Sequence, residues 1–111
     1  IAYVNEAKER LRGVSRATLI EHGAVSEPVA EEMARGAARA LGAECGIGIS
    51  GIAGPGGGTE TKPVGTVCFA ACTPEASVVT TRVFSGDREA VRRRSGQAAI
   101  VQLLRMLEAS G

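Results

Sequence analysis

The chain has 111 residues, 44% of them hydrophobic, which suits one domain with one core. Lys and Arg number 13 against 12 Asp and Glu, so the sequence lacks the basic surface expected of a nucleic-acid-binding protein. Aromatic residues make up 3%, which leaves no stacking platform for bases and no interfacial belt for a bilayer. Neither nucleic acid nor a membrane is therefore expected as a partner.

The first residues have the pattern of a strand end followed by a short helix. Ile1 is not a methionine and begins an apolar run to Val4, so we expect the chain to be an N-terminally truncated fragment. Asn5 is a suitable N-cap for a helix that extends to Arg12. Lys8 then lies in the first turn, where the helix dipole disfavours an ammonium and eases loss of the proton. Lys8 is therefore a candidate general base, although an ordinary solvated lysine has the same sequence signature.

Two further helices are predicted before the first complete strand. Ser15 caps a short helix over Arg16 to Glu21, and His22, just before a glycine, is interpreted as a helix-end residue without a catalytic role. Pro28 suits the first turn of a longer helix that runs to Leu41. The predicted core face of this helix has four-residue spacing and small residues, namely Val29, Met33, Ala37 and Leu41, with Ala30, Ala34 and Ala38 beside them.

The second half of the chain predicts three strands and a final helix. Cys45 to Ser50 is a short apolar run with two glycines, which is typical of a buried strand that another backbone approaches closely. Val64 to Cys72 and Ser77 to Phe84 are rich in β-branched residues and indicate a hairpin. The final helix spans Asp87 to Ala109. Its predicted core stripe consists of Val91, Ala98, Val101, Leu104 and Leu107.

This order of elements predicts an α/β fold, a three-layer sandwich with a mixed β-sheet flanked by helices, in one domain over residues 1–111. No long apolar segment or signal sequence is present, so a cytoplasmic location is the default expectation. The odd number of cysteines, their apolar surroundings and the absence of a nearby His favour reduced core thiols over a zinc site at Cys45, Cys68 and Cys72. We expect no metal and no cofactor.

The most distinctive segment is the loop from Gly51 to Thr59, which has five glycines in nine residues. Glycines leave backbone N–H groups uncovered, so a phosphate, carboxylate or oxyanion can approach them closely. The loop is not a Walker A motif, because Lys62 is followed by Pro63 where Ser or Thr is required. A flexible turn that binds nothing is the alternative interpretation. The candidate ligand-binding residues in this loop are Gly51, Ala53, Gly54, Gly56, Gly57 and Thr59.

The start of the final helix is a second candidate for anion binding. Asp87 is placed to cap this helix, and the adjacent Arg88 could hold an anion such as a nucleotide phosphate. A capped surface helix that binds nothing has the same pattern.

Four segments, which span essentially the whole chain, occur in a distinctive order and spacing. They are Tyr3-x-Asn5-Glu6-x-Lys8, His22 to Ser26, Gly51 to Thr59 with Lys62 to Val67, and Phe84-x-Gly86-Asp87-Arg88-x-x-Val91-Arg92. The most specific of them is the glycine loop joined to Lys-Pro-Val-Gly-Thr-Val. Together these segments resemble the CinA C-terminal family.

The resemblance implies metal-independent hydrolysis of the carboxamide of nicotinamide mononucleotide, a pyridine nucleotide, to the nicotinate nucleotide and ammonia. It also implies a homo-oligomer. The family's proposed machinery is a serine in a Glu-Ser-Cys-Thr-Gly-Gly motif with a tyrosine and a lysine, which Tyr3 and Lys8 match. The serine motif does not occur in the 111 residues, so we expect the nucleophile upstream of Ile1 and the fragment itself to be inactive.

Two other functions are compatible with the same residues. A non-catalytic regulatory domain that binds pyridine nucleotides would keep the glycine loop without the serine. A structural or assembly module, ranked last, would bind no ligand at the loop. Residues encoded upstream of Ile1 would distinguish the enzyme from the regulatory domain.

Overall fold

The computed structural model describes residues 14–110. The predicted strand at Ile1 to Val4 and the helix after it lie outside this range. The described elements begin within two residues of their predicted positions. They are helices α1 (Arg16–His22) and α2 (Glu27–Ala40), strands β1 (Gly46–Gly51), β2 (Thr66–Cys72) and β3 (Ser77–Val83), and helix α3 (Arg88–Ser110).

The described strands form a sheet in which β2 lies between β1 and β3 and pairs with both in antiparallel orientation. In this register Gly48 lies opposite Ala70, and Ala70 lies opposite Val79. Every residue of β2 is buried, as expected for a strand covered on both faces. The three strands do not test the mixed direction predicted for the sheet, because the Ile1 to Val4 segment lies outside the described residues.

Successive residues of β2 point to opposite faces of the sheet, and each face packs against a different helix. On one face the core combines β1 and β2 with α3, through Ile47, Val67, Phe69, Ala71, Val91, Ala99 and Leu103. On the other face it combines β2 with α2, through Ala30, Ala34, Ala38, Cys68, Ala70 and Cys72. The predicted α/β fold with helices on both sides of a sheet is therefore confirmed.

Two glycines of β1 allow α2 to lie close to the sheet. A Cβ atom added at Gly46 would come within 2.1 Å of the carbonyl oxygen of Ala34, and one added at Gly48 within 2.2 Å of the carbonyl oxygen of Ala30. Both obstacles are backbone atoms, which cannot rotate away. The close backbone approach predicted from the two glycines is confirmed.

Local signals set the ends of α1 and the start of α2. The Oγ atom of Ser15 accepts a hydrogen bond from the N–H of Thr18 at 3.1 Å, and Gly23, with φ of 79°, ends α1. Pro28 lies in the first turn of α2, as predicted. Ser26 does not cap α2 with its side chain and instead donates its hydroxyl proton to the carbonyl of Gly23 at 2.9 Å.

The prediction of which residues face the core was partly wrong for two helices. Leu41 is 69% exposed, because α2 ends one residue before it. On α3, the face that packs on the sheet repeats every four residues and includes small residues. The buried positions are Val91, Ser95, Ala99 and Leu103, whereas the predicted core residues Val101, Leu104 and Leu107 are 44%, 51% and 42% exposed.

The predicted hairpin between the last two strands is present. The hairpin between β2 and β3 closes through a hydrogen bond from the N–H of Thr73 to the carbonyl of Ala76 at 2.8 Å. The cysteines are unpaired, and burial raises the pKa of the Cys72 thiol. Among residues 14–110, no helix combines the length and apolarity needed to cross a membrane.

Candidate functional site

The glycine loop leaves β1 at Gly51 and returns to β2 at Thr66. Its base extends the β-ladder, because the N–H of Ile52 donates to the carbonyl of Thr66 at 2.9 Å and the N–H of Gly65 donates to the carbonyl of Ile52 at 2.6 Å. Gly65 has φ of 97°, and an added Cβ would lie 2.2 Å from the carbonyl oxygen of Phe84. The base of the loop is thus fixed at the end of β1, where the sequence predicted the loop to lie.

The far end of the loop is closed by a reciprocal pair of hydrogen bonds. The N–H of Thr59 donates to the carbonyl of Lys62 at 2.8 Å, and the N–H of Lys62 donates to the Oγ of Thr59 at 3.0 Å. Between this turn and Gly54 lie three exposed glycines. In the described part of the chain, the N–H groups of these residues, Gly56, Gly57 and Gly58, donate to no other residue. Uncovered N–H groups of this kind are suited to an anionic ligand.

Helix α3 begins beside the loop. The Nη1 atom of Arg88 donates to the carbonyl oxygen of Gly54 at 3.3 Å. The carboxylate of Asp87 accepts a hydrogen bond from the N–H of Ala90 at 2.9 Å, so the predicted helix cap is present. The two segments predicted to bind an anion, the glycine loop and the start of the final helix, therefore lie next to each other, whereas the anion-binding role of Arg88 stays a prediction.

The junction between α1 and α2 borders the loop on another side. Ser50, at the end of β1, donates its hydroxyl proton to the carbonyl of Ala24, and the Nζ of Lys62 donates to the carbonyl of Val25. The sequence indicated neither contact. The partners are 26 and 37 residues apart along the chain, so no local pattern could have revealed them.

The predicted binding residues occupy different environments. Gly51 ends β1, and the space of an added Cβ is taken by a methyl group of Val67 at 2.7 Å, which gives this glycine a packing role. Ala53 is half-buried against the core on the α3 side, and Gly54 is buried. Gly56, Gly57 and Thr59 are exposed.

Tyr3 and Lys8, the predicted catalytic residues, lie outside residues 14–110. Their predicted catalytic roles are therefore untested. The described residue nearest to them along the chain that makes a long-range contact is Ser15, whose N–H donates to Oε1 of Glu32 at 2.9 Å. Hydrogen bonds from the Thr18 hydroxyl and the Ser15 N–H hold the pKa of Glu32 below its ordinary value.

Charged side chains of both signs lie in the loop and at the start of α3. Glu60 of the loop and Asp87, Arg88 and Glu89 at the helix start are exposed, and Arg94 donates to the carbonyl of Ser85 at 2.9 Å. Over residues 14–110, no group of three or more His, Cys, Asp or Glu side chains is placed to hold a metal ion.

The family model for the CinA C-terminal domain matches residues 1–107. The chain belongs to the CinA C-terminal domain family. The resemblance of the sequence motifs to this family is thereby confirmed.

Members of the CinA family with similar sequences are longer than this chain. The Escherichia coli K12 protein named nicotinamide-nucleotide amidohydrolase PncC is 54% identical over 104 residues, which cover 93% of this chain and 63% of the relative. A CinA-like protein of Anaeromyxobacter dehalogenans strain 2CP-1 is 53% identical over 106 residues, which cover 96% of this chain and 26% of the relative. The chain thus spans about a quarter of the CinA-like relative and less than two thirds of the amidohydrolase.

Solved CinA structures share the fold. A CinA superfamily protein from Klebsiella pneumoniae 700603 has a TM-score of 0.83 and 37% identity, and the match covers 97% of this chain and 68% of that one. The Enterobacter cloacae protein has a TM-score of 0.81 and 37% identity, with coverage of 95% and 62%.

Proposed function

We propose that the chain is part of an amidohydrolase that converts nicotinamide mononucleotide to the nicotinate nucleotide and ammonia. The observation that carries the proposal is the 54% identity over 104 residues with the relative named nicotinamide-nucleotide amidohydrolase. Because the chain covers 63% of that relative, the activity, the substrate and the catalytic residues of the whole protein all belong to the proposal.

The proposed chemistry is a serine–lysine mechanism. Lys8 takes the proton of a serine hydroxyl, and the serine oxygen attacks the carboxamide carbon. The proton then passes to the leaving nitrogen, ammonia departs, and water hydrolyses the resulting acyl-enzyme to release the carboxylate and regenerate the serine. Tyr3 orients Lys8 or relays the proton. The serine itself lies in a motif that the 111 residues do not contain.

We assign to the glycine loop the binding of the negatively charged phosphate of the substrate. The uncovered N–H groups of Gly56 and Gly57 and the guanidinium of Arg88 support binding of the phosphate. The tetrahedral oxyanion also needs N–H donors, each worth about 3 kcal/mol in known oxyanion holes. Such donors can come from this loop or from the serine segment.

The test compares two proteins, the 111-residue chain and a longer form in which a segment with the serine motif precedes it. Ammonia release from nicotinamide mononucleotide is measured for both. We expect turnover in the longer form, loss of turnover when its motif serine is changed to alanine, and none in the 111-residue chain. A longer form that binds the nucleotide without releasing ammonia would contradict the enzyme assignment.

A regulatory domain that binds pyridine nucleotides without turnover is the second candidate. The observation that favours it is the 26% coverage of the CinA-like relative, in which the matched domain accompanies a much larger protein. Tight nucleotide binding in a longer form that lacks the serine motif would support this function. A homo-oligomer and a cytoplasmic location are further proposals from the sequence, which light scattering and cell fractionation can test.

A further inference from the structure

Two side chains at opposite ends of the glycine loop hydrogen-bond to consecutive carbonyl groups. Ser50, which precedes the loop, donates to the carbonyl of Ala24, and Lys62, near its end, donates to the carbonyl of Val25. Lys62 is half-buried, whereas residues 55–61 are all exposed. The lysine side chain therefore turns away from solvent and toward the junction of α1 and α2.

The contact of Lys62 adds an attachment where the loop would otherwise be weakly held. Segments rich in glycine have high conformational entropy in the absence of restraints. The loop is held on one side by Arg88, which donates to Gly54, and at its base by the ladder bonds of Ile52. Because Thr59 and Lys62 hydrogen-bond to each other, the contact that fixes Lys62 also fixes Thr59. The exposed glycines therefore lie between two fixed residues, Gly54 and Thr59.

Resting on the proposed function, we propose that Lys62 is a positioning residue for phosphate binding. It orders the segment 56–58 by joining the end of the glycine loop to Val25, and it acts through Thr59 rather than by contact with the nucleotide. With Gly54 and Thr59 both fixed, the three glycine N–H groups between them are preorganised for an anion, which reduces the ordering cost of binding.

Three variants test the proposal, each made in the longer form with its motif serine changed to alanine (the parent protein), so that nucleotide binding is measured without turnover. Lys62→Met removes the amine and keeps the aliphatic length, Lys62→Arg keeps N–H donors at the end of a long side chain, and Arg93→Met removes one exposed positive charge of α3 as the matched control. For each protein, ¹⁵N relaxation gives the order parameters of Gly56 to Gly58 without ligand, and calorimetry gives the Kd for nicotinamide mononucleotide. Thermal unfolding confirms that each variant is folded.

We expect Lys62→Met to lower the order parameters of the three glycines from rigid values to below about 0.6 and to raise the Kd about tenfold. Lys62→Arg should restore the Kd to within about threefold of the parent protein, and Arg93→Met should change neither quantity. If Lys62→Met proves unfolded, Lys62→Gln is judged by the same two criteria.

Unchanged loop order and a Kd within twofold of the parent protein in Lys62→Met would overturn the proposal. A weaker Kd with unchanged loop order would also overturn it, because Lys62 would then act by contacting the nucleotide. If the parent protein binds no nucleotide while Lys62→Met still lowers the order of Gly56 to Gly58, the proposed function fails and the ordering role of Lys62 stands. If the parent protein binds the nucleotide and Lys62→Met changes neither quantity, the role of Lys62 fails and the proposed function stands.

Discussion

Arg88, the first residue of α3, donates from its guanidinium to the carbonyl oxygen of Gly54 at 3.3 Å. A guanidinium has five N–H donors, so this hydrogen bond leaves others able to face a ligand bound at the glycine loop. The same side chain can therefore hold the loop and contact a phosphate.

Arg88→Ala should act mainly on KM in the longer form that carries the serine motif. A phosphate contact is made equally in the ground state and the transition state, so we expect KM to rise about tenfold and kcat to change less than about threefold. Steady-state ammonia release measures both constants. Arg93→Ala, which removes an exposed arginine of the same helix, is the control and should behave as wild type. A fall in kcat alone would contradict the assignment of Arg88.

Lys8→Ala should act mainly on kcat. A general base contributes about 10² to 10⁴-fold in the transition state, so kcat should fall by at least about 100-fold while KM changes little. The measurement is again ammonia release by the longer form. Near-normal turnover in Lys8→Ala would require a different base.

Activity of the longer form should be unaffected by EDTA. A serine hydroxyl activated by a lysine amine needs no Lewis acid, so removal of divalent ions leaves the proposed chemistry intact. Ammonia release is compared before and after dialysis against the chelator. Loss of activity on dialysis, with recovery on adding a divalent metal, would exclude the serine–lysine mechanism.

Gly48→Ala should strongly destabilise the fold. The added methyl would lie 2.2 Å from the carbonyl oxygen of Ala30 and 2.6 Å from the backbone nitrogen of Ala34, so α2 would have to move. We expect the free energy of unfolding to fall by at least about 3 kcal/mol. Gly96→Ala, in α3 with open space around it, should instead raise stability by about 0.5–1 kcal/mol. Urea unfolding measures both effects, and equal effects at the two sites would contradict the packing described.

The stability contribution of Glu32 should depend on pH. Hydrogen bonds from Thr18 and Ser15 lower its pKa in the folded protein, so the contribution is fully present above the ordinary glutamate pKa and is lost as the pH falls through the lowered value. Because Glu32 is close to solvent, the effect should be below about 1 kcal/mol. Glu32→Gln should thus destabilise the protein more at pH 7 than at pH 3. Urea unfolding at both values, with Glu60→Gln as the control, checks the difference.

Elements with strong local signals were predictable from the sequence. Ser15 caps a helix through its side-chain oxygen, whereas Gly23 and Pro28 act through their own backbone conformations, and the structure places all three at helix ends. The core-facing surface of α3 was not predictable from large apolar residues. Small residues such as Ser95 and Ala99 occupy the buried face of α3. Burial of the Ser95 hydroxyl is tolerated because it donates to the carbonyl of Arg92 at 3.0 Å.

The candidate site was predictable only in part. The composition of the glycine loop indicated an exposed segment, because glycine acts locally on the backbone, and residues 55–61 are exposed. Ligand binding by this segment stays a prediction. The contacts of Ser50 and Lys62 depend on the packing of α2 against the sheet, which places Ala24 and Val25 beside the loop. Such contacts between distant segments leave no periodic or spacing signal in the sequence.

The two glycines of β1 that face α2 limit how the glycine loop could be transferred to another protein. Gly46 and Gly48 let α2 sit against the sheet, and the residues that Lys62 and Ser50 hold lie immediately before α2. A graft of the loop alone onto another sheet would lack the carbonyl groups that receive these side chains. A functional graft would have to carry β1 and the start of α2 together with the loop.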